Sequence, residues 1–366
     1  MSAQPVTSSR LTRGQAPRWL PLAVGLAALV LGAALSAFFG FSVATWAIFA
    51  GLIFVLVGPL TISVFEGERK AKDAFVRYLV YGAFLIALIP LVSVIWTVLV
   101  KGIPGLSPNL LFQSMKGVTG VHDNAAAQGE GPVLGGIYHA IIGTLEITLL
   151  ATLISVPIGL LTAIYLVEYS KDGALGKAII FFVDVMTGIP SIVAGLFAAS
   201  FFALASGDPS ERTGLVAAVA LSVLMIPTVV RNAEEMLRIV PNELREASYA
   251  LGVRKWRTIM KVVIPTAISG IASGVTLAIA RVIGETAPIL VTAGFVTSIN
   301  WNAFSGWMAT LPTYIYYQIM TPTSPTAASV SETRAWAAAL VLILIVMVLN
   351  LIARAVAKFF APKTGR

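Results

Sequence analysis

Long apolar blocks, separated by short charged or Gly- and Pro-bearing intervals, dominate the chain. Eight can be distinguished, at about 20–40, 43–65, 76–100, 137–168, 178–206, 213–230, 266–298 and 335–359. A helix crosses a bilayer in about 20 apolar residues, and helix is the open-ended way to satisfy the backbone in lipid. Strict apolar/polar alternation is missing, which argues against a transmembrane β-barrel. The pattern therefore predicts an all-α membrane protein with about eight transmembrane helices. The fourth and seventh blocks are long enough to tilt or to project beyond the bilayer. The first block exceeds the ~7–15 apolar residues of a signal peptide and a second span follows at once, so it reads as a retained helix. Spans one and two form a tight hairpin around Gly40–Ser42, and the charged stretch Glu66–Asp73 sets that hairpin apart from the rest. There is no tandem repeat, and the only biased tract is the short Thr/Pro/Ser stretch Thr321–Thr326.

Composition agrees: 57% of residues are hydrophobic and 11% charged, against about 45–50% and 25% in soluble proteins. A soluble enzyme and a disordered chain are both excluded. The net charge of +8 is explained by placement and not by nucleic acid. Twenty Lys and Arg residues fall on one set of segments: the N-terminus, 66–77, 171–177, 231–264 and the C-terminus. The opposite loops hold Lys101, Lys116, Arg212 and Arg334. This bias places the first set in the cytoplasm, with both termini there and loops 101–136 and 299–332 outside.

Most catalytic chemistry is missing. With zero Cys and only His122 and His139, thiolate sites, disulfides and His-rich metal sites are excluded. No phosphate-binding GxxxxGK[ST] loop and no GxSxG elbow occurs, so the chain does not itself hydrolyse nucleotide and no cofactor is implied. His122-Asp123 reads as a solvated turn in an outer loop.

The most specific feature is RNAEEMLRIVPNELREASYALGVRKWRTIMKVVIP at 231–265. Pro241-Asn242 opens a helix whose first turns carry Glu243 and Glu246, Gly252 ends or bends it, and a second short helix leads from Arg254 into the seventh span. Two short helices meeting at a Gly corner would form a cytoplasmic knob. Glu246-Ala247-Ser248, Gly252 and Pro265 resemble the EAA loop of type I ABC-importer permeases, EAA-x3-G-x9-I-x-L-P, with Ser248, Val262 and Ile264 as mild departures. The resemblance implies that this helix inserts into a cleft of an ATP-binding subunit, with Glu246 touching that partner and Gly252 allowing close backbone approach. It implies a permease domain at 137–360 that includes the EAA loop 231–265. A first permease helix and extracytoplasmic loop at 76–136 precede it, after an extra transmembrane hairpin at 20–66 with no assigned role. Short cytoplasmic ends, 1–19 and 361–366, complete the plan.

Within the seventh span lies the one remaining cation, Arg281, four residues before Glu285. On one continuous helix these residues share a face with Gly270, Gly274 and Ala278 and can pair, with Pro288 kinking the helix just beyond. That face packs on protein or lines a cavity and does not meet lipid. Two roles stay open for the pair: an anion path, or a structural salt bridge. Thr144, Thr148 and Thr152 form a stripe that could offer hydroxyls to the same path, although Thr often bonds its own helix. Glu146 suits a helix–helix hydrogen bond, and Asp184, near the cytoplasmic end, is expected to cap or to snorkel.

Gly284-Glu285-Thr286-Ala287-Pro288 resembles the GETAP motif of phosphate-specific permeases of the PstA type. Residues 143–169, 184–197 and 308–316 resemble the same family elsewhere. Membership would imply a phosphate permease embedded in inner-membrane lipid, working by alternating access. Its partners would be a second, PstC-like permease, a PstB-like ATP-binding dimer and a PstS-like extracytoplasmic phosphate-binding protein. The residues also leave open an ion-gradient-driven anion carrier, a sensing subunit, the sister PstC-type permease and another oxyanion importer.

Overall fold

The computed structural model describes residues 17, 19–170 and 173–360. The N-terminal segment before the first helix, Lys171 and the tail 361–366, all counted as cytoplasmic above, lie essentially outside the described residues. Contacts divide the chain into two units, Met1–Trp96 and Thr97–Arg366.

In the first unit, α1 (Leu20–Phe38) and α2 (Val43–Glu66) form the expected hairpin. Its corner is Gly40 at φ +84°, followed by a capping box in which Ser42 and Thr45 exchange bonds at the start of α2. Gly32 lies so close to the backbone of Ala50 that a Cβ would meet it at 2.6 Å, and Ser36 and Thr45 hydroxyls bond at 2.6 Å. The charged stretch Glu66–Asp73 is not a linker. Gly67, at φ +91°, makes the whole turn, and α3 (Glu68–Gly102) starts at once. Its first turns hold Lys72–Glu68 and Arg77–Asp73 pairs one helical turn apart.

The second unit is built around two parallel helices, α6 (Tyr138–Ile164), extended by a π-helical turn at Tyr165–Tyr169, and α9 (Gly214–Ile239). Ser222 reaches the Ala151 carbonyl, Gly159 sits on Val229, and Ala163 packs with Ala233 and Leu237. Residue numbers rise together along both helices, so the chain between them must cross back. It does so as a broken pair, α7 (Ala174–Thr187) and α8 (Ser191–Ser206), bent by 108°. The expected continuous span 178–206 fails at Gly188-Ile189-Pro190, because Pro190 has no N–H and disfavours helix at the residue before it. Before α6, the segment 103–137 carries two short helices, α4 (Pro108–Phe112) and α5 (Gly120–Gln128).

Small residues allow α9 its central place, with 67% of its most apolar stretch buried. It also runs well past the expected 230, so Arg231 and Arg238 are helical and not loop residues. Next come the short helices α10 (Asn242–Ala250) and α11 (Lys255–Thr258). A π-helical turn at Ile259–Val263 joins α11 to α12 (Ile264–Val282), making one 28-residue rod. Pro265 gives the reason for that turn: it cannot donate to the preceding turn, and the Ile264 N–H reaches back to the Ile259 carbonyl. Gly270 and Gly274 lie against Met236 and Asn232 of α9, so the small-residue face does pack on protein, antiparallel to α9.

The seventh block is shorter than expected. The helix ends at Val282, and α13 (Ala287–Thr292) starts anew with Pro288 in its first turn, where a missing N–H is tolerated. An irregular stretch leads to α14 (Leu311–Met320) and then α15 (Ala328–Phe360). Among the described residues, seven helices are long and apolar enough to cross a membrane, and the bent pair brings the number to eight.

Candidate functional site

The knob at 242–258 has the expected shape. Helix α10 ends at Ala250 with Leu251 as its cap, Gly252 turns the chain at φ +75°, and α11 begins three residues later. Nothing lies within 4 Å of a Cβ built on Gly252, so its backbone conformation, and not crowding within this chain, calls for glycine. Glu246 and Ala247 are exposed, as are Leu251 at 83% and Trp256 at 53%. Ser248, by contrast, is buried, and its hydroxyl bonds that of Thr258 at 2.8 Å, pinning the two arms of the knob together. Pro265 acts at a distance, shaping the rod below.

The sequence did not single out what holds the knob to the helices. Glu168, in the π-helical turn ending α6, accepts from Arg245 Nε at 3.0 Å, and Nη2 completes the ion pair 2.9 Å from the same carboxylate oxygen. Arg245 also donates to the carbonyls of Leu237, at 2.9 Å, and Val240. Lys255 donates to the Glu168 backbone carbonyl and lies 4.7 Å from the Tyr169 ring. Burial pushes the Tyr249 phenol above its usual range, with the Glu168 charge adding to the shift. A buried Glu at a span end, set against Arg and Lys far along the chain, was the available signal, but spacing does not reveal such a pairing.

The intramembrane pair is not formed. Because α12 ends at Val282, Glu285 lies beyond the helix, and the i,i+4 relation to Arg281 does not exist. Among the described residues no ion pair joins them. Arg281 is exposed on this chain and donates from Nη1 to Thr228 Oγ1 of α9 at 3.3 Å, while Glu285 is half-buried. The threonine stripe is largely committed elsewhere. Thr144 is buried, donates to the Ala140 carbonyl at 2.7 Å and accepts from the Leu311 N–H at 2.8 Å. Thr148 is buried, and Thr152 bonds back to the Thr148 carbonyl. Of the two roles expected of Asp184, it does not cap; its largely exposed side chain pairs with Arg231 of α9, which also meets the buried Glu234 at 3.2 Å. Glu146 Oε2 is buried with no partner among the described residues.

The loop at 101–136 also departs from expectation. His122 caps its own helix, accepting from the Thr119 N–H at 3.2 Å, but Asp123 is no solvated turn residue. It is fully buried against Arg334 of α15.

Residues 155–366 match the family described as "Binding-protein-dependent transport system inner membrane component". The chain is 43% identical to phosphate transport system permease protein PstA 1 of Mycobacterium tuberculosis (strain ATCC 25618 / H37Rv), over 85% of this chain and 94% of that one. It is 37% identical to phosphate transport system permease protein PstA of Pasteurella multocida (strain Pm70), over 81% and 97%. Among solved structures, a bacterial alginate ABC transporter, in complex with a periplasmic protein holding an alginate pentasaccharide, superposes with a TM-score of 0.51 at 15% identity. That match covers 81% of this chain and 99% of the other and bears on the fold alone.

Proposed function

Because the chain belongs to the family of binding-protein-dependent transport system inner membrane components, within its PstA group, we propose that it is the permease subunit of an ABC importer of inorganic phosphate. It sits in the cell inner membrane with both termini in the cytoplasm. A PstC-like second permease, a PstB-like ATP-binding dimer and a PstS-like extracytoplasmic phosphate-binding protein complete the machine. The partner ATPase hydrolyses the nucleotide, and this chain converts that event into alternating access.

One observation carries the reading: a knob turned at Gly252 and exposing Glu246, Ala247, Leu251 and Trp256, in a chain that matches phosphate permeases over nearly their whole length. An ion-gradient carrier has no use for such a knob. Arg281 supplies the charge of the anion path. A guanidinium exposed within a spanning helix does not face hydrocarbon at acceptable cost, so this face meets water or the second permease. Glu285 and the half-buried Thr152 flank it.

The test is uptake of radiolabelled phosphate by the assembled transporter in proteoliposomes loaded with ATP. Uptake should require ATP and the binding protein, and survive collapse of ion gradients. Loss of uptake on gradient collapse with ATP intact, or failure of any ATPase subunit to co-purify, would overturn the reading.

A further inference from the structure

The knob has two covalent connections to the membrane helices, back to α9 and forward into α12. The geometry supplies a third, through α6, and both arms of the knob use it. Helix α10 grips Glu168 through Arg245, whose Nε and Nη2 share one carboxylate oxygen at 3.0 and 2.9 Å. Helix α11 grips the same residue through Lys255, which donates to its backbone carbonyl. The ionic contact is nearly dry, with the side chains 11% and 5% exposed. Arg245 is further fixed by the Leu237 carbonyl at 2.9 Å and Asn242 Oδ1 at 3.3 Å, so its position is determined from several sides.

Glu168 stands at the inner end of a rod that reaches the outer face. Gly143, near the other end of α6, lies where a Cβ would meet the Ala309 carbonyl at 2.1 Å, and Thr144 accepts from the Leu311 N–H. A displacement of the knob therefore bears directly on α6, and α6 bears directly on the outer stretch 308–311. Packed interfaces of this kind move as units and do not deform continuously.

We propose that Glu168 and Arg245 are positioning residues for transport, transmitting movement of the knob through α6 to the outer loop. This rests on the permease reading above and adds a route to it. Removing the pair should leave the exposed docking face intact while separating nucleotide hydrolysis from movement of the helices.

The experiment uses the complete transporter, with phosphate as the probe, and records ATP hydrolysis and phosphate uptake in the same proteoliposomes. In Glu168→Gln and Arg245→Gln the ATPase subunit should still co-purify, while ATP consumed per phosphate imported rises about tenfold. Arg245→Lys should recover part of the loss by restoring the charge. Should either neutral variant fail to assemble, Glu168→Cys/Arg245→Cys provides the second arm, the chain having no Cys of its own. Joining the two thiols with a short bifunctional reagent should bring the ATP-to-phosphate ratio back towards wild type. A wild-type ratio in the neutral variants, or no recovery on joining the thiols, overturns the proposal. Failure of the permease reading itself appears differently, as absent ATP-driven uptake by the unaltered protein.

Discussion

Arg334 and Asp123, 211 positions apart, form a bidentate ion pair in which neither side chain is more than 1% exposed. Arg334 Nη1 donates to Asp123 Oδ2 at 3.0 Å, and Nη2 donates to the other carboxylate oxygen. The pair staples α5 to the first turns of α15, and Ser324 and Thr326 reinforce it by donating to Asn124 at 2.7 and 2.8 Å. Removing one partner of a buried pair strands a charge and costs about 3–5 kcal/mol, whereas removing both can be nearly neutral. Arg334→Gln or Asp123→Asn alone should lower the thermal unfolding midpoint in detergent, and the double variant should recover much of it. Equal midpoints for wild type and single variants would show that the staple is dispensable.

At the knob, Gly252 has open space around it and a left-handed backbone at φ +75°. A non-glycine residue there costs roughly 1–2 kcal/mol, least for Asn. Gly252→Val should therefore weaken ATPase association and phosphate uptake, with Gly252→Asn retaining both. Glu246→Arg should weaken association without disturbing the fold, since the Glu246 side chain is exposed. Pull-down of the ATPase subunit measures both effects, and wild-type pull-down in Gly252→Val and Glu246→Arg would reject the docking role.

Arg281 offers a graded test. Arg281→Lys keeps a point charge but loses the planar fork suited to tetrahedral oxyanions, and Arg281→Gln loses the charge as well. Uptake at equal expression should fall in the order wild type, Arg281→Lys, Arg281→Gln. The last step should be about tenfold or more, as a charge-assisted hydrogen bond contributes about 1.5–3 kcal/mol. Since Arg281 bonds Thr228 and not Glu285, adding Glu285→Gln to Arg281→Gln should restore nothing. Wild-type uptake in that double variant would remove Arg281 from the anion path.

Topology can be read with single cysteines. Ser248 and Asn124 are unsuitable reporters, because the first is buried against Thr258 and the second holds Ser324 and Thr326. Ala247 and Gln128 are exposed and serve instead. In intact cells an impermeant thiol reagent should label Gln128→Cys and leave Ala247→Cys unlabelled. The reverse pattern would invert the assigned orientation.

The sequence by itself determined the class of fold, the positions of most spans and the knob, because these depend on local properties. Apolar length is set by bilayer thickness, and a glycine corner with capping signals is written within ten residues. The small-residue face of Gly270 and Gly274 was legible for the same reason, since helical periodicity alone fixes it. Where a backbone break intervened, periodicity misled. Gly188–Pro190 broke one expected span, and the end of α12 at Val282 separated Arg281 from Glu285. Proline and glycine advertise that a helix stops or bends, but the angle at which the next one resumes depends on what it packs against. Only the tertiary structure paired Glu168 with Arg245, Asp184 with Arg231 and Asp123 with Arg334. Such partners meet across helices that are distant in sequence, and taking a charge out of water costs several kcal/mol unless a well-placed counter-ion repays it.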